Sequence, residues 1–452
     1  MNEDLTAFID ALRFTGFFEK AAPIVVSRAP GRLDVMGGIA DYSGSLVLQR
    51  TTTEATFTAV QRTDRTILNI VSLSPDSNGI PRVFALPLAA LLKDGWPVGY
   101  ADARRIFSSA SDRWAAYVVG IFIVLMRERG VVFPQGARIL ISSRVPEGKG
   151  VASSAALEVA TIQAVCSAFG ILISAKDMAL LCQLAENLVA GAPCGVMDQM
   201  TSACGESDSL LALLCQPAEL QTLVPIPEEV AFWGLDSGER HAVSGSDYTS
   251  VRTAAFMGQR ILDLTSEDSS GGYLANVTPV EFARKVISLL PDQMTGADFL
   301  ARYSGTADTV TTVEPSRVYS VRQAAAHPVF ENYRVQEFRR LLLASPSPEQ
   351  RSQLGELMLQ SHESYSACGL GSPGTDLIVK LVREAGTEGG LYGARISGGG
   401  SGGTVVILGR ADAGDSIAAI AAKYHRITAY SPHVFSGSSP GADQFGPRSV
   451  TV

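Results

Sequence analysis

Between Val145 and Ala160 the chain reads VPEGKGVASSAALEVA, a glycine-rich turn that runs straight into an apolar helical pattern ending before Gly170. A turn that opens a helix leaves backbone N–H groups without intrahelical acceptors and aims the positive end of the helix dipole at one spot. Such a spot receives phosphate. Gly148 and Gly150 let the backbone approach an anion with no Cβ in the way. Lys149 adds a point charge, and the hydroxyls of Ser153 and Ser154 stand where they can cap the helix or reach a metal ion. A lone glycine-rich turn is more often an ordinary loop and N-cap, so its meaning depends on the rest of the chain. The strand-like ARILISSRVP delivers the chain to the turn. A second helical pattern from Ala175 to Ala190, with Ser174 as N-cap and Gly191 as stop, follows it.

A chain of 452 residues is long enough for two domains and a sizeable core. Its formal net charge of -8 argues against nucleic acid as the main partner. A nucleotide stays admissible, because magnesium offsets much of a triphosphate's charge. The six cysteines include no CxxC pair, which points to reduced, mostly buried thiols and not to a disulfide frame or a zinc site. The start, MNEDLTAFIDALRF, lacks the basic region of a signal peptide and the Arg-rich pattern of a transit peptide. The most apolar run, Trp114 to Met126, is too short for a relaxed membrane span. It reads as a buried helix started by Ser111 or Asp112 and closed at Gly130. The expectation is a cytoplasmic protein with neither membrane nor nucleic acid as partner.

Along the chain, residues 1 to 22 suggest a short amphipathic helix with Leu5, Phe8, Ile9, Leu12 and Phe14 near helical spacing. The segment from Ile24 to Gln49 reads as strand, turn, short apolar piece, turn, strand. TTTEATFTAVQR and TILNIVSL fit antiparallel strands. LLALLC and VAFWGLDSG place the entry into a second half near residue 210, giving expected domains 1–209 and 210–452. The polar stretch from Thr265 to Asn276 reads as a surface loop. Region 315 to 390 is mostly helical in pattern, with a break at Ser345 to Pro348. The tail from Ser436 onward, rich in Gly, Ser and Pro, reads as irregular.

Gly398 to Gly403 nominally satisfies GxGxxG, but a dinucleotide fingerprint needs a helix after the glycines. Here TVVILG follows, which is a strand, so the segment is a glycine-rich hairpin and a nicotinamide-dependent oxidoreductase is disfavoured. No GxxxxGK[ST], HRD or DFG occurs, which removes P-loop proteins and protein kinases. In AENLVAGAPCGVMDQMTSACG, Glu186 sits in the last turn of an apolar helix, where a carboxylate opposes the dipole. Taken alone it reads as a solvent-facing rim residue; a metal ion would favour it otherwise. Asp198 lies among Val196, Met197 and Met200 and reads equally as a general base or as a helix N-cap. Arg32 follows Pro30-Gly31, and Asp41 sits in a Gly-bounded turn, where ordinary turn chemistry is a sufficient account.

Together the three stretches resemble the three motifs of the GHMP small-molecule kinases. APGRLDVMGGIADYSG is similar to the galactokinase sugar signature, VPEGKGVASSAALEVA to the ATP-phosphate loop, and ARISGGGSGGTVVIL to the third, Gly-rich motif. From about residue 24 onward the chain is also similar to the kinase portion of plant members of the family directed at L-arabinose. The resemblance implies a two-domain α+β fold with the active site in the cleft between domains, ATP and Mg2+ as cofactors, and a monomer or weak homo-oligomer. By resemblance Asp198 is the base toward the anomeric hydroxyl, and Arg32 sits beside it and the transferring phosphoryl group. Ser154 and Glu186 would hold magnesium. Glu147, Gly148, Lys149, Gly150, Val151, Ala152, Ser153 and Ser154 would bind the nucleotide phosphates, and Asp41, Gly195 and Tyr248 the sugar.

One departure from the galactokinase pattern stands at Gly38 and Ile39, where galactokinases carry Glu-His. That Glu contacts the C6 hydroxyl of the sugar. L-Arabinose has galactose ring stereochemistry without the hydroxymethyl group, so loss of the Glu fits a pentose, with Ile39 filling the vacated space. On this reading Gly38→Glu shifts preference toward galactose. The expected activity is a sugar-1-kinase acting on L-arabinose. The rivals are a galactokinase or other monosaccharide-1-kinase and a non-catalytic sugar sensor.

Overall fold

The computed structural model describes residues 3–75, 80–239, 246–265 and 270–451. Its first helix, Glu3–Thr15, buries Leu5, Phe8 and Leu12 in a cluster with Ile24, Val26 and Phe57. Phe14, expected on the same face, is 95% exposed. At about 100° per residue, position 14 points away from the stripe that 5, 8 and 12 define.

Ile24–Met36 is one strand, not two pieces separated by a turn. The Pro30-Gly31 pair is a bulge in its pairing with Leu46–Arg62, with a register shift between Pro30 and Arg32. Proline has no N–H to give to a ladder, and a bulge absorbs that defect. The bulge also seats the glycine-rich loop before helix Ser153–Phe169: Arg32 N–H donates to Val151 O at 3.0 Å. A Cβ on Gly31 would stand 2.7 Å from that same carbonyl, so the close approach requires glycine there.

The nine-stranded sheet runs Val224–Pro225, Ser209–Leu214, Leu46–Arg62, Ala137–Ser143, Ile67–Pro75, Pro81–Pro87. Ile24–Met36, Glu219–Leu220 and Arg448–Val450 join it off this path. The pairing of Ile67–Pro75 with Ala137–Ser143 is parallel; the other pairings along that path are antiparallel. Helices Ala115–Arg129, Ser153–Phe169 and Ala175–Ala185 pack together over this sheet through residues such as Phe122, Ile162 and Leu181. Ala115–Arg129 closes on Gly130 in the left-handed region, as expected.

A four-stranded antiparallel sheet, Leu391–Ile396, Thr404–Arg410, Val230–Asp236 and Val434–Phe435, forms the second half. Trp233 and Ile407 face helices Pro373–Ala385 and Gly414–Thr428. Phe232, Val406 and Leu408 point the other way and share one core with Leu33, Val35 and Leu48 of the first sheet. The halves are therefore joined by apolar burial, not by a linker. The expected division at 209/210 falls inside the first sheet, because Ser209–Leu214 pairs with Leu46–Arg62. The second sheet begins at Val230. The tail is irregular over 436–441, as expected, but carries a short helix, Ala442–Phe445, and a strand, Arg448–Val450, and it is tied to the first sheet. Arg28, 1% exposed, donates to Ser439 Oγ and Pro440 O, and Arg448–Val450 pairs with Ile24–Val26. A buried guanidinium needs acceptors, and the tail provides them. Of the expected loop from Thr265 to Asn276, residues 266–269 lie outside the described residues; Leu274 and Ala275 are buried and not at the surface.

Candidate active site

Helix Ser153–Phe169 starts where the sequence placed it, but neither serine caps it. Ala152 holds the cap position at φ 60° with no side-chain cap bond. The two hydroxyls instead border two cavities. One measures about 630 Å3 and is lined by Phe107, Trp114, Tyr117, Leu157 and Val189, with Arg82 and Arg113 among its polar groups. That is the size and character of a site for a drug-sized ligand. The other, about 90 Å3, contains Arg32, Ile39, Asp41, Gly195, Asp198 and Tyr248. Gly148, Ser153, Ser154 and Glu186 line both. The cavities thus meet at the N-terminus of a long helix, where charge stabilisation of an anion is built into the backbone.

The remaining loop residues divide. Gly150 and Ala152 line the small cavity. Val151 is buried and engages Arg32 through its carbonyl. Glu147 borders the large cavity and is paired with Arg82 at 3.0 Å. Lys149 borders neither: its ammonium lies 2.9 Å from Asp236 and 3.2 Å from the Tyr430 hydroxyl, across the seam between the halves. Its charge is met by a buried carboxylate, so in this structure it clamps the loop to the second sheet.

Glu186 is 3% exposed, which overturns the solvent-facing reading. Helix Ala175–Ala185 continues as a π turn, Glu186–Ala190, before Gly191 ends it. The extra residue per turn re-aims the carboxylate inward. Ser154 hydrogen-bonds it, and Gln199 Nε2 donates to Glu186 Oε2 at 2.6 Å and Glu158 Oε2 at 3.3 Å. Burial, then the charge of Asp198, push the Glu186 carboxyl up to about 7. Burial and Glu186 hold Glu158 well above the usual range. Neither acid has an ion-pair partner among the described residues.

Asp198 is neither in a loop nor a cap. It is the second residue of helix Met197–Cys204, whose cap position is Val196. Arg32 grips it with two hydrogen bonds of 2.9 Å, Nε to Oδ1 and Nη2 to Oδ2, and its Nη1 donates to Gly150 O at 2.5 Å. One guanidinium thus aligns the acid and the phosphate loop, which a planar fork can do and an ammonium cannot. Asp41 lies in the 3-10 turn Gly38–Ser43, 5% exposed, and burial followed by the charge of Asp198 push its carboxyl up to about 7. A Cβ on Gly195 would fall 1.7 Å from Asp41 Oδ2, so these two loops touch only because Gly195 has none. Tyr248 lines the same cavity. Behind it Arg252 is engaged by Asp308 through two bonds of 2.9 Å and by Cys194 O at 3.0 Å.

The structure corrects the reading of Gly38. It adopts φ +48°, and a Cβ there would lie 1.6 Å from the Tyr365 hydroxyl and 2.8 Å from Asp34 Oδ2 and Arg395 Nη2. Position 38 therefore faces a buried polar cluster, while Ile39 faces the cavity. Gly38→Glu is expected to lower the thermal midpoint and to cut turnover, because the new side chain collides with the Tyr365 hydroxyl, and not to gain a contact to a C6 hydroxyl. A well-folded Gly38→Glu protein whose galactose kcat/KM exceeds that of wild type would overturn this.

Sequence reasoning missed Glu158, Gln199, Tyr365 and the Arg252–Asp308 pair. A charged residue inside the otherwise apolar SSAALEVATIQAV was a readable signal for Glu158. The others are brought in by packing between elements far apart in the chain.

Among the described residues no three His, Cys, Asp or Glu side chains converge as a metal cage, and no helix is long and apolar enough to cross a membrane. The chain matches the galactokinase galactose-binding signature over residues 12–62, the GHMP kinases N terminal domain over 116–206 and the GHMP kinases C terminal domain over 339–426. It is 44% identical to an L-arabinokinase of Arabidopsis thaliana over 95% of its own length, and spans 47% of that relative. It is 28% identical to a galactokinase of Actinobacillus pleuropneumoniae, covering 84% of each. A Lactococcus lactis galactokinase solved with galactose superposes with a TM-score of 0.76 at 20% identity, over 99% of this chain and 100% of that one.

Proposed function

Because the chain belongs to the GHMP kinase family, we propose that it is an ATP- and Mg2+-dependent sugar-1-kinase making β-L-arabinose 1-phosphate from L-arabinose. The observation that carries this reading is the meeting of a nucleotide-sized cavity and a small polar one at the N-terminus of helix Ser153–Phe169, with Asp198 and Arg32 on the small side. ATP occupies the large cavity with its terminal phosphate at Ser153 and Ser154. The sugar occupies the small one, with its hydroxyls on Asp41 and Tyr248 and close to the Gly195 backbone. Asp198 takes the proton from the anomeric hydroxyl as that oxygen bonds to the γ-phosphorus and the bond to the ADP oxygen breaks. Arg32 holds Asp198 in place and offsets charge on the moving phosphoryl group. Ser154 and Glu186 are the residues that would hold Mg2+; the Glu186 carboxyl, buried on the wall that both cavities share and with no ion-pair partner among the described residues, fits a cation there. Bound there, the ion would supply neutralisation of the nucleotide's phosphate charge.

Ile39 supports the pentose. An apolar wall gives a C6 hydroxyl no partner, and burying an unpaired hydroxyl costs about 1–3 kcal/mol. Among the described residues, Arg252 is engaged by Asp308 and so is not a spare cation for a uronate. The reading is completed by a cytoplasmic monomer or weak homo-oligomer.

A coupled ADP-release assay with MgATP tests the reading against L-arabinose, D-galactose, D-glucuronate and D-galacturonate. L-Arabinose is expected well ahead. Turnover with galactose instead would keep the kinase and discard the account of specificity. Sugar binding without turnover would make the protein a sensor.

Asp41 accepts charge-assisted sugar hydrogen bonds at both oxygens only when ionised; protonated, it keeps one neutral, weaker acceptor. Its pKa is raised to about 7, so it is protonated below that pH and charged above it. At saturating MgATP the sugar KM is therefore expected to rise as pH falls below about 7, approaching tenfold per pH unit, and to level off above it. Asp41→Asn is expected to have a high sugar KM that is flat with pH. A wild-type KM flat from pH 5.5 to 8 would remove Asp41 from this role.

A further inference from the structure

Tyr365, on helix Pro348–Ala367, is fully buried and lies outside both cavities. Its hydroxyl accepts from Ile39 N–H at 2.8 Å and donates to Gly398 O at 2.9 Å. A phenol has one proton to give and lone pairs to receive, so a single oxygen satisfies both loops. Its ring is held between Arg395, 5.1 Å from the centroid, and His327 in an edge contact of 5.1 Å. Arg395 in turn grips Asp34 Oδ2 at 2.9 Å, and Asp34 Oδ1 accepts from Gly38 N–H at 3.1 Å. The hydroxyl occupies the space that any side chain at position 38 would need.

We propose that Tyr365 is a positioning residue for sugar specificity: it ties the sugar-facing turn at Ile39 to the glycine-rich hairpin at Gly398 and so fixes where the Ile39 wall stands. This rests on the reading that the small cavity takes the sugar. The Gly38 and Tyr365 positions form one device, since the glycine makes room for the phenol and the phenol replaces what a side chain at 38 would otherwise anchor. Ile39 and Asp41 share one short turn, so a shift of that turn moves the apolar wall and the sugar-binding carboxylate together. Displacements near 1 Å in a positioned substrate change rates by about a hundredfold.

The test compares wild type, Tyr365→Phe, Gly38→Ala and the double variant, each checked by thermal melting. Phenylalanine keeps the ring contacts and removes only the bridge. Tyr365→Phe is expected to raise the sugar KM by tenfold or more, to lower the L-arabinose to D-galactose ratio by at least fivefold, and to leave the MgATP KM within threefold. A purely structural defect would move both KM values together. Gly38→Ala is expected to reduce sugar kcat/KM by a hundredfold in wild type but by less than tenfold in the Tyr365→Phe background. If Tyr365→Phe does not accumulate, Gly38→Ala alone reads the contact, and an unchanged sugar kcat/KM there overturns the proposal. An unchanged sugar KM and ratio in Tyr365→Phe, or additive effects in the double variant, overturn it while the kinase reading stands. A wild-type protein that phosphorylates no sugar removes the kinase reading, and this proposal with it.

Discussion

Asp198→Asn is expected to lower kcat by about 10^3–10^4-fold, with the sugar KM changed by less than threefold. Asparagine keeps the shape of the side chain and one acceptor for the Arg32 fork, but it cannot take the proton from the anomeric hydroxyl. Binding survives because Asp41, Tyr248 and the Gly195 backbone also line the small cavity. The variant leaves Arg32, whose side chain is only 3% exposed, without its counter-charge. Removing one partner of a fully buried pair costs about 3–5 kcal/mol; the 21% exposure of Asp198 lowers that toward the bottom of the range. A thermal melt should therefore accompany the kinetics. Turnover within tenfold of wild type in a folded variant would take the base role away from Asp198.

Arg32→Lys should cost about 10^2–10^3-fold in kcat/KM, most of it in kcat. The charge is kept, so a pure point-charge role would be nearly rescued. What is lost is the simultaneous grip on both Asp198 oxygens and on Gly150 O, three bonds from one rigid plane. Freed from that grip, the acid and the phosphate loop no longer share a fixed reference. A lysine variant within tenfold of wild type would mean that alignment through Arg32 is dispensable. Loss in the MgATP KM alone would confine its role to the phosphate loop.

The glycine-rich turn and the helix after it were legible in advance because glycine, serine and helix periodicity are local signals. VPEGKGVASSAALEVA dictates a turn opening a buried helix wherever it is placed, and the helix starts at Ser153 as read. The hairpin around Gly398 was legible for the same reason: β-branched TVVILG makes a strand and rules out a helix. Roles that depend on a partner were not legible. Glu186 looked exposed because its sequence neighbours say nothing of the π turn that folds it inward or of Gln199 that meets it. Lys149 looked like a phosphate ligand until Asp236, 87 positions later, was found to hold it. Gly38 was read as facing the sugar because a one-dimensional motif carries no direction for a Cβ. Its φ of +48° and the Tyr365 hydroxyl decide that direction.

The sequence by itself determined the main helices and strands, the glycine-rich turn before Ser153 and the hairpin around Gly398. Short-range physics governs these: turn conformations, helix periodicity and the free N–H groups of a helix start. Only the tertiary structure decided which acids are buried, which cations they meet and which side chains wall the small cavity. Those properties come from desolvation and contact, and both depend on which distant segments pack together. Arg32 and Asp198, 166 positions apart, became a single unit only when the bulged strand and the short helix were laid against each other.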